Sequence, residues 1–115
     1  MVNTNTKKHI NAAVKDEMDA AIEKHGEFNS HHEAHSVLRE ECEEVAEQFT
    51  SFSNIRKDAM QDLWKWVRRD DTSEMQGALA ALENVAIELA EECVQVAAVC
   101  NKWQRLIDKE RGKHE

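Results

Sequence analysis

No proline interrupts this chain of 115 residues, and glycine occurs only three times. These two residues stop helices most sharply, costing about 3 and about 1 kcal/mol in a helix interior. Good helix formers, Ala, Glu, Leu, Gln and Lys, dominate instead. Val, Ile and Thr are too scattered to build strands. The expected fold class is therefore all-α. The length suits a single domain, 1–115, with 1–6 and 111–115 expected to be loose. A chain this short buries a modest core, and association of copies would enlarge it.

Apolar spacing and punctuation divide the chain. Ile10, Val14, Met18 and Ala21–Ile22 form one stripe of a first helix, 7–25, which Gly26 stops. Ser30-His31-His32-Glu33 reads as a capping box opening a second helix to about Phe49. Thr50-Ser51-Phe52-Ser53-Asn54 reads as a break, followed by a short helix, 55–69. Asp70-Asp71-Thr72-Ser73 reads as a turn and a new N-cap, and the last helix runs 73–109. The expected architecture is three long helices plus one short one, assembling as a homodimer or tetramer. Trp103, Ile107, Val96 and Val99 are the candidates for that interface.

The formal net charge is −8. A duplex nucleic-acid binder shows a basic face, so duplex DNA or RNA is not an expected partner. A nucleotide held through a metal remains open to an acidic chain. Cys42, Cys93 and Cys100 form no CxxC pair and read as small buried hydrophobes in a reducing compartment. No signal-peptide core is present, and no apolar run approaches the ~20 residues of a membrane span. A cytoplasmic protein without a membrane partner is expected.

Two acidic runs carry the chemistry. Glu40-Glu41-Cys42-Glu43-Glu44 is answered by Glu88-Leu89-Ala90-Glu91-Glu92-Cys93-Val94-Gln95. Carboxylates three and four apart share a helix face. Two such faces packed together offer oxygen ligands to a hard cation such as Mg²⁺. Helical phasing sets Glu41 and Glu44 to one side of the apolar stripe of the second helix, with Glu40, Glu43 and Glu47 nearer to solvent. Glu92, Glu88 and Gln95 lie to one side of the stripe on the last helix. An ordinary solvated acidic face explains the same spacing.

Glu40-Glu41-x-x-Glu44 has the form EExxE. Together with His25-Gly26-x-Phe28-x-Ser30-x-His32-Glu33-Ala34-His35-Ser36-Val37-Leu38 before it and Ala90-Glu91-Glu92-Cys93-Val94-Gln95-Val96-Ala97-Ala98 after it, it resembles the MazG-like all-α nucleoside triphosphate pyrophosphohydrolases, over about residues 15–107. The resemblance implies hydrolysis of a (deoxy)nucleoside triphosphate to monophosphate and pyrophosphate, a nucleotide-pool house-cleaning reaction, with Mg²⁺ or Mn²⁺ as cofactor. It implies Glu41, Glu44, Glu92 and position 95 as metal ligands, with Glu40 and Glu41 catalytic. The family's ExxD asks for Asp where this chain has Gln95; Glu88 is a candidate for the missing charge. The alternative is a catalytically weak or inactive helical module that binds nucleotide or a protein partner.

Other groups keep two readings each. His32 and His35 are candidate substrate contacts, or tolerated residues at an exposed helix start. His31 and His35 have the i,i+4 spacing of a zinc pair, but HExxH is absent. Trp64 is a candidate stacking surface for a base or part of an oligomer interface. Lys102 and Arg105 are candidate phosphate contacts or plain surface charge.

Overall fold

The structure is a computed structural model describing residues 2–114; Met1 and Glu115 lie outside it. It is all-α, with helices α1 (Thr4–His25), α2 (His31–Arg68) and α3 (Thr72–His114). Among the described residues there is no strand. No helix is long and apolar enough to cross a membrane.

Local chemistry sets the ends. Asn3 caps α1, its Oδ1 accepting the Thr6 amide at 2.8 Å, so α1 starts ahead of the expected Lys7. Gly26 closes it at φ 78°, where an L side chain is strained, and its amide donates to the Ile22 carbonyl at 2.7 Å. Ser30 Oγ accepts the Glu33 amide at 3.1 Å. The second arm of the expected capping box is replaced: the Glu33 carboxylate accepts from Asn29 Nδ2 at 3.2 Å. Asp70 takes φ 52° after α2, and the Asp70 and Asp71 amides return to the Val67 and Trp66 carbonyls. That is the left-handed helix stop. Asp71 then caps α3, its Oδ1 accepting the Glu74 amide at 3.1 Å.

The expected break at 50–54 is absent, and with it the separate short helix: α2 runs through it for 38 residues. The Thr50 side chain is accommodated within the helix without supporting it. Its hydroxyl donates to the Ala46 carbonyl one turn back, at 3.1 Å. Without Gly or Pro, nothing else in the stretch stops the ladder.

The chain divides into two compact units. The first takes residues 1–43 and 93–115, hence α1, the start of α2 and the end of α3. Gln95 bonds to Glu17 and Arg105 to Glu27, both at a separation of 78 residues. A constant separation means that α1 and this part of α3 run in the same direction. Met18, Phe28, Ala34 and Ala98 are its buried apolar residues. The second unit, 44–92, is a helical hairpin with Ala59 and Val85 buried. It carries six large exposed apolar residues: Phe49, Met60, Trp64, Val67, Leu79 and Ile87. The cysteines depart from expectation, since Cys42 and Cys93 are exposed and Cys100 is half-buried. The helix faces they occupy are only partly covered within one chain.

Candidate functional site

In the second unit, Glu44 from α2 and Glu92 from α3 bring carboxylate oxygens within 4.8 Å of one another. Antiparallel pairing of the hairpin puts them opposite. Glu44 is exposed and Glu92 half-buried. Burial first, then the hydrogen bond and negative charge of Glu44, and last the charge of Glu91, raise the Glu92 pKa above the ordinary 4.5. Glu92 Oε2 is sealed from solvent and finds no donor among the described residues. Gln48, one turn after Glu44, has its Oε1 in the same condition. Such oxygens need a proton, a water or a cation. Hard oxygens with surplus negative charge fit a hard divalent ion. Glu41 stands one turn before Glu44 on α2, half-buried, with Glu40 exposed beside it. Glu88 is half-buried and accepts from Asn84 Nδ2 at 3.2 Å.

The first unit holds a cleft of about 730 Å³. Its walls include Glu41 from α2, Glu17 and Lys24 from α1, and Gln95 and Lys102 from α3. Gln95 Nε2 donates to Glu17 Oε2 at 2.9 Å. The carboxylate bonded to position 95 thus comes from α1. Lys102 is 6% exposed and sets its Nζ 4.1 Å from the centre of the Phe28 ring.

The remaining candidates fall elsewhere. Arg105 is engaged by Glu27, its Nη2 2.8 Å and its Nε 3.1 Å from Oε1. The Arg105 guanidinium holds the Glu27 carboxyl below its ordinary range despite partial burial. His31 accepts from Trp103 Nε1 on Nδ1 at 2.9 Å and meets Glu110 with Nε2 at 2.7 Å. With both ring nitrogens engaged, it does not form the zinc pair with His35. His35 is exposed and stands edge-on to Trp103 at 6.4 Å; His32 is exposed on the same turn. Trp64, 62% exposed, lies in the second unit with Arg68 5.8 Å over its ring.

Glu17, Lys24 and Gln48 are residues that sequence reasoning missed. Gln48 follows Glu41 and Glu44 by seven and four residues, on one helical face. Glu17, Ala20, Ala21 and Lys24 follow the same spacing on α1. Both signals were present, but neither helix partner was known. Compared with protein-family models, curated proteins and solved structures, the chain matches none.

Proposed function

We propose that this protein is a Mg²⁺-dependent nucleoside triphosphate pyrophosphohydrolase of the MazG-like superfamily, working as a homo-oligomer. The observation that carries this reading is the Glu44–Glu92 pair, with the sealed, donorless oxygen of Glu92 and a pKa already raised. Glu44 and Glu92 would hold the ion, with Gln48 as a neutral oxygen on the same unit, and the family resemblance adds Glu41 to the set. When bound, Mg²⁺ neutralises phosphate charge and lowers the pKa of an attacking water. Glu40, exposed next to Glu41, would orient that water. Mn²⁺ fits the same oxygen set.

The second reading, a catalytically weak or inactive module that binds nucleotide or a protein partner, is favoured by one observation. At position 95 the chain has an amide that donates to Glu17, and an amide adds no negative charge to the site. Release of pyrophosphate from a panel of (deoxy)nucleoside triphosphates, with Mg²⁺ or Mn²⁺, separates the readings. Metal-dependent release that Glu92→Gln lowers by about a hundredfold or more is expected; one lost metal interaction is worth several kcal/mol. If Gln95→Asp creates activity where the natural chain has none, the second reading holds. No metal binding and no pyrophosphate from any nucleotide would reject the enzyme.

Homo-oligomerisation is supported by the second unit. A two-helix hairpin has one inward face, and six large apolar side chains remain outside it. Exposed apolar surface on this scale marks an interaction surface.

A further inference from the structure

Lys102 has its charge answered but its donors unspent. Its side chain is buried, and none of the hydrogen bonds or ion pairs among the described residues involves it. Nζ sits 4.1 Å from the centre of the Phe28 ring, a contact that attracts an ammonium without using its N–H groups. Lys102 also acts on the Glu27 carboxylate, which the hydrogen bond and charge of Arg105, and then the charge of Lys109, hold more strongly. That carboxylate balances the buried ammonium. Both Lys102 and Phe28 line the cleft of the first unit. An ammonium already balanced, with free N–H donors beside open space, suits a neutral acceptor rather than an anion.

The three helices sort the other groups of the cleft by level. The separation of 78 residues that pairs Glu17 with Gln95 and Glu27 with Arg105 also levels Lys24 with Lys102. On α2 the order is reversed. His31, at its start, accepts from Trp103, and the α3 lining runs from Lys102 back to Gln95, so Glu33, Val37 and Glu41 run back with it. One end of the cleft therefore holds Glu17, Gln95 and Glu41. The other holds Lys102, Phe28, Lys24 and Glu33, whose Oε2 accepts from Asn29 Nδ2 at 3.2 Å. Seven residues of α3 separate the ends, about 10 Å at 1.5 Å per residue, which is the scale of a nucleoside.

We propose that Lys102 and Glu33 read the base of the nucleotide and select a lactam edge, a ring carbonyl beside a ring N–H, as in uracil, thymine and guanine. The orientation rests on the proposed function: with Glu41 among the metal ligands, the phosphates lie at the Glu41 end and the base reaches the Lys102 end. Lys102, the buried member of the pair, donates to the carbonyl. Glu33, exposed, accepts from the neighbouring N–H. Cytosine and adenine put an amino group against the ammonium and a bare ring nitrogen against the carboxylate, so both contacts fail.

The test is binding of the α,β-imido analogues of UTP and CTP to the full chain with Mg²⁺, followed by calorimetry. Neither analogue can be cleaved between the α and β phosphates, and the two differ at the lactam edge alone. The UTP analogue is expected to bind about tenfold or more tightly. Glu33→Gln and Lys102→Met are each expected to shrink that ratio. Glu33 is exposed, so its variant stays informative if loss of Lys102 disturbs the fold, and the comparison of the two analogues needs no variant. Equal binding, tighter binding of the CTP analogue, no binding of either, or a ratio that Glu33→Gln leaves unchanged each overturns the proposal. Preference for the UTP analogue without release of pyrophosphate from UTP keeps the base contacts and removes the enzyme. Pyrophosphate release from UTP and CTP at equal kcat/KM does the reverse.

Discussion

Glu92 is held in a position where ionisation is disfavoured, and this makes stability depend on pH with a definite sign. Its folded pKa is raised above 4.5. Between that value and the raised one, the folded state binds more protons than the unfolded state, so stability falls as pH rises through the window. Glu27 works in the opposite direction: its pKa is lowered, so its contribution is present at neutral pH and is lost as pH falls through the folded value. Metal-free melts across pH should therefore show a decline above pH 4.5 that Glu92→Gln removes. If the variant keeps the same decline, Glu92 is not its source. Mg²⁺ should raise the melting temperature of the natural protein at neutral pH and leave Glu92→Gln unmoved. Gly26 and Ser30 were legible in the sequence, because caps act within one turn; the cap of α3 was legible only as somewhere in Asp70-Asp71-Thr72-Ser73, and the structure makes it Asp71. Lys102 and Arg105 were not separable, because what distinguishes them is Glu27, 78 residues from Arg105.

At the level of elements, α2 gives the clearest lesson. Five residues, Thr50 to Asn54, have turn-forming composition, yet the helix continues through them. Composition records a preference of a few tenths of a kcal/mol per residue. It does not record that the Thr50 hydroxyl can turn back to the Ala46 carbonyl and be accommodated within the helix. Asn54 is exposed on this continuous helix, so Asn54→Pro should cost about 3 kcal/mol, and Asn54→Ala should gain about 0.5 kcal/mol. Chemical denaturation measures both. A proline tolerated at position 54 would mean that the segment is a loop after all. The acidic pair was legible at the same level, since EExxE and the second run sit at helical spacing. Its depth was not: the sealing of Glu92 Oε2 and Gln48 Oε1 comes from neighbours that periodicity does not name.

For the whole molecule, the apolar surface decides the state of association. The sequence pointed to Trp103, Ile107, Val96 and Val99 as interface residues. The structure keeps those four half-buried and leaves Trp64, Met60, Phe49 and Leu79 exposed on the hairpin. Light scattering after size exclusion should report a dimer or tetramer, and Trp64→Asp or Leu79→Asp should dissociate it. A natural chain that runs as a monomer at micromolar concentration would remove the homo-oligomer from the proposal. The order in which the units can form also follows from their composition. Residues 44–92 are contiguous, so the hairpin closes through near neighbours as soon as it has left the ribosome. The cleft is different: α1 has to wait for Gln95 and Lys102, synthesised after the whole hairpin. Until then its inward face, Met18 included, is bare. A nascent chain of this kind leaves α1 uncovered until the residues that follow the hairpin have emerged, and the cleft does not exist before then.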